Sequence, residues 1–262
     1  LKVLKGILPS SITLHEGKLQ PWDLAWVYNY YKKNYLAIDE VAISEYFPLR
    51  STLPALMKLY EDFFGLCFRK TEKMDLWSPD LESYAVYKKG HYLGSVILDL
   101  FPRPYKFTHA AHVTIIPTVK DVSGKYYPGV MVLLTNFTPE SKERPSLLKR
   151  SEVITFFHEF GHVIHALLGA TELASTSGTA TKGDFVEMPS QMLEEWLWDP
   201  AIVASVSSHY KTKKPLPSEM ITQMALLKHF DIGESLLRQI YLAGVSLAYY
   251  QEGTQKDLQR LW

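Results

Sequence analysis

The chain has 262 residues, 47% of them hydrophobic and 21% charged, which is enough apolar material to bury a sizeable core and too much for a disordered chain. Its 28 Lys and Arg balance 28 Asp and Glu, so there is no basic excess to neutralise a phosphate backbone, and nucleic acid is not expected as a partner. The single cysteine, Cys67, can form neither an internal disulfide nor a cysteine-based zinc framework; it favours a reducing compartment, with the cytoplasm as the expected location, and leaves any metal to histidines and carboxylates.

Residues 1–8 carry two lysines but lack a long apolar run ending in a small-residue cleavage site, so no targeting signal is read there. No apolar stretch reaches the roughly 18 to 20 residues needed to cross a bilayer, and no membrane association is expected. The chain opens on Leu1 rather than Met and stops at Leu261-Trp262, as a piece of a longer polypeptide would.

Trp22, Trp26 and Tyr30, with Leu24, Val27 and Tyr31, recur at spacings of three and four behind Pro21, which predicts a helix over 22–35. Pro48 and Pro54 bracket an expected turn. Leu53, Leu56, Met57, Tyr60, Phe63 and Phe64 then predict a second helix over 53–64, closed by Gly65. From 84 to 101 the period changes to alternation around Lys88-Lys89-Gly90, as a hairpin requires. Residues 111–116 and 130–137 are two further strands, separated by a polar loop over 120–127 with a Ser123-Gly124 turn. From Leu147 the helical period returns, interrupted over 169–183 by an Ala-, Thr-, Ser- and Gly-rich stretch that reads as a mobile connection. The expectation is a mainly α chain with a small β-sheet, an α+β fold rather than a doubly wound parallel sheet. It forms one region over 1–262, with a helical part (1–76), a small sheet (77–137) and a second helical part (147–262).

The second helical part carries the chemistry. In His158-Glu-Phe-Gly-His162 two imidazoles stand four residues apart inside an apolar helical pattern, so both face one side of the helix and can converge on one Zn²⁺. Glu159 is next to the first of them, where a carboxylate can take a proton from water whose pKa a metal lowers to about 7. A catalytic zinc needs a third protein ligand, and Glu187, 29 residues beyond His158, is the candidate; the alternative is a helix-start carboxylate favoured by the macrodipole. Pro189 requires Glu187 to sit at or just before the first turn of its helix, with the proline near the first position. Asp184 and Glu194 are the nearest carboxylates able to fix a histidine tautomer. His165 is a packing residue rather than a ligand, His109 and His112 read as loop and sheet-edge residues, and Tyr28 to Tyr31 and Tyr249-Tyr250 read as packing.

These segments resemble the thimet oligopeptidase, neurolysin and oligopeptidase A family of zinc metallopeptidases. The likeness runs through Pro21-Trp-Asp-Leu24, Tyr46-Phe-Pro-Leu49, Trp77-Ser-Pro-Asp80, Leu98-Asp-Leu-Phe-Pro-Arg103, His109-Ala-Ala111, Asn136-Phe137, His158-Glu-Phe-Gly-His162, Ser177-Gly-Thr and Asp184 to Trp196, in family order. The resemblance implies a zincin-like catalytic core with His158, His162 and Glu187 as ligands to one Zn²⁺ and Glu159 as general base, a metalloendopeptidase (oligopeptidase) acting on short unstructured peptides. It also implies that a strand before the active-site helix pairs with the peptide backbone, and residues 130–137 are the expected strand. The family's C-terminal His and Gly-Gly-Tyr segment, which donates to the developing oxyanion, is not matched by Tyr249-Tyr250. The rival expectation is therefore a non-catalytic zinc-binding fragment or pseudo-enzyme completed by another polypeptide that carries the missing remainder of the enzyme.

Overall fold

A computed structural model describes residues 8, 12–72, 75–230, 232–251 and 253. The stretch read for a targeting signal lies, apart from Leu8, outside them. The chain is α+β, about half helical with a small mixed sheet, and divides into two compact units: residues 1–38 with 222–262, and Asp39–Ile221.

In the first unit, α1 (Pro21–Tyr35) starts at Pro21, whose missing N–H has no partner to lose at a helix start. Tyr28 and Tyr31 of α1 pack on Phe230, at ring separations of 5.5 and 5.4 Å.

The larger unit holds α2 (Glu40–Ser44), α3 (Leu49–Phe64), β1 (Leu66–Lys70), β2 (Glu82–Lys88), β3 (His91–Asp99), β4 (Ala111–Ile116), β5 (Val119–Lys120), β6 (Tyr126–Tyr127), β7 (Gly129–Leu134), α4 (Arg150–Leu168), α5 (Gly183–Glu194) and α6 (Pro200–Val206). Helix α3 ends as predicted, with Gly65 in the left-handed region at φ 64°. It begins earlier than predicted: Pro48 is its N-cap, and Pro54 lies inside it instead of closing a turn. The carbonyl that loses its donor to Pro54 is four residues back, on the exposed Arg50, where water can replace the bond.

The hairpin is where the alternation placed it, Lys88 facing His91 across a turn in which Lys89 and Gly90 both have positive φ (49° and 81°). Residues 120–127, expected as loop, close instead into the two-stranded β5–β6 ribbon; Asp121 Oδ1 accepts from the N–H groups of Ser123 (2.9 Å) and Lys125 (3.0 Å) to shape its turn. The main sheet has the order β1-β2-β3-β7-β4, antiparallel except for the parallel pair β3–β7. Strand β1 was not anticipated. Gly94 faces Gly129 across the parallel pair, and a Cβ on Gly94 would stand 2.4 Å from the Gly129 carbonyl, so the two strands approach this closely only because a side chain is absent.

This order corrects one expectation about peptide binding. The strand assigned to residues 130–137 is β7, and it is internal, with β3 on one side and β4 on the other, so it has no free backbone for a substrate. Among the described residues the edge strand beside α4 is β4, whose Val113, Ile115 and Ile116 are exposed.

A buried ion cluster fixes the segment leading into β4. Asp99, at the end of β3, accepts from Arg103 Nη1 (2.6 Å) and Nη2 (2.8 Å), and lies 2.8 Å from the ammonium of Lys106. Lys106, with its side chain 2% exposed, also donates to the carbonyls of Asp99 (2.9 Å), Phe101 (2.7 Å) and Thr135 (2.5 Å). Burial pushes the Asp99 carboxyl up, but the hydrogen bonds from Arg103, Lys106 and Trp77 outweigh it and hold the group below its ordinary value. The charges are thus fully paired, as burial demands.

Helix α4 is the spine of this unit. Its start is held by the Lys149 N–H, which donates to Glu152 Oε2 at 2.7 Å. Phe156, Phe157 and Phe160 are wholly buried, and Tyr60 of α3, also wholly buried, donates its hydroxyl to the Phe157 carbonyl at 2.6 Å. The segment after α4, expected to be a mobile connection, is tied to the body. The Thr171 carbonyl accepts from the Lys120 N–H (2.9 Å), Ser177 donates to the Thr118 carbonyl, and the Gly178 N–H reaches the Gly169 carbonyl (2.8 Å). Gly178, at φ 57°, lies so close to Ala166 that a Cβ would meet its Cα at 2.7 Å.

Candidate metal centre

The helical period sets His158 and His162 one turn apart on the face of α4 opposite its phenylalanine core, and α5 crosses that helix at Gly161. A Cβ on Gly161 would stand 3.2 Å from both Ser190 Cα and Leu193 Cδ1, so the absence of a side chain is what admits α5 so near. The crossing delivers Glu187. Its Oε2 lies 3.1 Å from His158 Nε2 and 3.2 Å from His162 Nε2, and the two Nε2 atoms are 3.2 Å apart. Donors 2.0–2.1 Å from a tetrahedral zinc are separated by about 3.3 Å, so this nearly equilateral triangle has the dimensions of one face of such a site. Among the described residues, these three side chains form the group able to hold a metal ion.

The surroundings fix each donor. Glu194, at the end of α5, takes the His158 Nδ1–H at 2.6 Å and so leaves the Nε2 lone pair for the centre. Ser190 Oγ donates to the Glu187 carbonyl (2.9 Å) and lies 3.4 Å from its Oε2. Of the two carboxylates expected to steady an imidazole, Glu194 is so placed; Asp184 lies in the first turn of α5 and is not among the described contacts of either histidine.

The expected placement of Pro189 does not hold. Helix α5 begins at Gly183, so Glu187 lies one turn inside it and Pro189 is in the interior. The carbonyl deprived of a donor is that of Phe185, an exposed residue in the first turn, and the helix continues.

The electrostatics separate neighbouring groups. The hydrogen bond to Glu194 raises the His158 pKa against the effect of burial, whereas burial lowers that of His162. Burial likewise raises the Glu159 carboxyl, although the His158 charge and a hydrogen bond from the His112 backbone N–H pull the other way. His112, on β4, has its ring 6.3 Å from that of His162, and burial takes its pKa down to about 4. The sequence pattern read His112, with His109, as a loop or sheet-edge residue but gave no hint that its ring comes near that of His162, since strand order is a non-local property. His165 lies outside the donor triangle, with its ring 6.2 Å from Phe185 and Nδ1 buried without a hydrogen-bond partner among the described residues. His109 is in the loop before β4, its ring 5.5 Å from Phe107.

The sequence model of peptidase family M3 matches residues 1–262. The chain belongs to peptidase family M3. Saccharolysin of Saccharomyces cerevisiae is 34% identical to this M3 chain over 275 residues, an alignment that takes in 100% of the chain and 38% of the yeast protein. Oligopeptidase A of Escherichia coli is 33% identical over 225 residues, 85% of the chain and 33% of that protein. A thimet-like oligopeptidase of Dictyostelium discoideum is 36% identical over 212 residues, 79% of the chain and 31% of that protein. The M3 chain thus spans about a third of the length of the curated relatives it matches. Among its described residues no helix is long and apolar enough to cross a membrane.

Proposed function

We propose that this M3 chain carries the zincin-like metal centre of a zinc-dependent oligopeptidase that hydrolyses peptide bonds in short, unstructured peptides. His158, His162 and Glu187 are its ligands and Glu159 is its general base. The supporting observation is the donor triangle of 3.1–3.2 Å edges, closed by residues from two helices that the sequence separates by 29 positions. A zinc ion bound there supplies a Lewis acid for the scissile carbonyl and lowers the pKa of the water it binds to about 7.

The chain's own residues do the rest. Glu159, half-buried and next in sequence to His158, accepts a proton from the attacking water and returns it to the leaving amine. Burial raises its proton affinity toward the range in which both transfers are easy. Glu194 holds the His158 ring in one tautomer and one orientation. The exposed edge of β4 supplies backbone groups for an extended substrate, in place of the internal strand expected earlier. The single cysteine accords with a cytoplasmic location.

Quenched fluorescent peptides test the reading: the chain should cleave them and bind one zinc per chain, Glu159→Gln should bind zinc without cleaving, and His158→Ala should lose the metal. The second reading, a metal-binding fragment that requires another polypeptide, is favoured by the share of each relative that the chain spans. It predicts stoichiometric zinc with equal background rates for the native chain and Glu159→Gln.

A further inference from the structure

The helix Ile232–Tyr250 (α7) belongs to the first unit and holds to it by one side. Val245 is buried, and three turns earlier Glu234 accepts a hydrogen bond from the Tyr28 hydroxyl of α1. At about 100° per residue these two positions point within about 20° of each other, so they mark the inward face. The stripe on the far side is apolar and bare: Leu236, Leu237, Ile240 and Leu247 are 55%, 68%, 67% and 62% exposed. Those four side chains leave on the order of 450 Å² in water, as much as the largest patch on a typical monomer. Two glycines lie in the same stripe. A Cβ on Gly233 or Gly244 would meet nothing within 4 Å among the described residues. A glycine inside a helix weakens it relative to alanine, and at Gly161 the reason is the helix that crosses there; at Gly244 no described residue takes that place.

The order of large and small residues decides what fits this stripe. Counted from Ile240, Leu236 and Gly244 stand four residues to either side, Leu237 and Ala243 three, and Gly233 and Leu247 seven. When a second α7 lies antiparallel on the first with a two-fold axis at Ile240, each residue before Ile240 on one helix faces the residue equally far after it on the other. Leu236 then enters the gap over Gly244 of the second copy, Leu247 the gap over Gly233, and Leu237 meets Ala243. Ile240 meets its own copy. Spacings of three, four and seven are those of a helix–helix seam, and the sequence is complementary to itself along it. We propose that α7 is a homodimer contact, with a second copy of this chain as the occupant of its bare face. Covering the stripe on both copies removes about 1,000 Å² from water, the lower end for a specific interface, so the dissociation constant should be on the order of 10 µM. The pairing uses none of the donor residues and stands or falls apart from the peptidase reading.

The test is sedimentation velocity of the full chain over a range of concentrations, paired with cross-linking. The chain should sediment as a dimer at about 100 µM and as a monomer below about 1 µM. Gly244→Leu fills the gap that Leu236 of the second copy needs. It places a better helix former where the chain itself has open space, so folding should be kept by circular dichroism while dimerisation weakens by at least about tenfold. Cross-linking reads the register, with the exposed Cys67 first removed as Cys67→Ser. Ile240→Cys should then join two copies in a disulfide under mild oxidation, because the axis brings that position face to face with itself. Ser246→Cys, exposed about 120° around the helix from Ile240, should cross-link at least about tenfold more slowly. A chain that stays monomeric at about 100 µM would leave the face to a different polypeptide and overturn the proposal. Undiminished dimerisation of Gly244→Leu, or equal cross-linking of the two cysteine variants, would overturn it as well.

Discussion

Gly161 sits between the base and the second imidazole, and a side chain there would meet α5 before any donor is touched. An Ala Cβ would lie 3.2 Å from Ser190 Cα, a backbone atom that cannot rotate away, so α5 must retreat by a few tenths of an ångström. The triangle edges of 3.1–3.2 Å would then widen toward about 3.5 Å, still near the 3.3 Å a tetrahedral site asks for. Ala also gains about 1 kcal/mol of helix propensity over Gly, so Gly161→Ala should be close to neutral in stability and keep most of its zinc affinity. Valine adds two branches at the contact. The retreat then approaches the size of a methyl group, the overpacking costs about 1 to 3 kcal/mol, and Glu187 is carried out of reach of both Nε2 atoms. Gly161→Val should thus lose zinc affinity by at least tenfold with every donor residue intact. Competition against a chromogenic zinc indicator, paired with urea unfolding of the metal-free protein, measures both quantities. Wild-type zinc affinity in Gly161→Val would refute the argument that this crossing sets the triangle.

Other expectations follow from contacts already described. Glu194→Gln keeps a side chain of the same shape but removes the charge opposite His158 Nδ1, and should cost about 10- to 100-fold in zinc affinity in the same indicator assay. Lys106→Met strips the buried Asp99 of a paired ammonium and three carbonyls of a donor; a loss of about 3 kcal/mol is expected in urea unfolding. The His112 pKa, lowered to about 4 by burial, means that the fold prefers the neutral ring, so stability is intact above the unfolded value near 6.5 and falls as pH drops toward 4. The penalty is up to about 3 kcal/mol, to which His162 and His165, also lowered by burial, add with the same sign. In metal-free protein, His112→Gln should remove part of this acid sensitivity between pH 7 and 4; an unchanged slope would contradict the assignment.

What the sequence made legible was whatever is written locally. The hairpin turn at Lys89-Gly90, the cap at Gly65 and the imidazole pair in α4 are all set by residues within a few positions of one another. Strand β1 escaped notice because it follows Gly65 at once and carries Arg69 and Lys70, which dilute the apolar alternation of an edge strand. Pro54 and Pro189 misled in the same way: a proline was taken to mark a helix boundary, whereas in both places the deprived carbonyl belongs to an exposed residue near the helix start. The location of β7 between β3 and β4 was beyond local reading altogether. Its apolar run fits any buried strand, and only the pairing of distant segments shows that the free edge is β4.

The two helices that build the donor triangle are not equally anchored. Helix α4 drives three fully enclosed phenylalanines into the interior, while α5 buries only Ser190 and Leu193 and leaves Phe185, Met188 and Met192 to solvent. Two donors therefore ride on a deeply buried element and the third on one with a shallower hold on the core. An ion captured between them would act as a clasp, and its arrival should be felt first as slowed amide exchange along α5, with α4 already protected before the clasp closes.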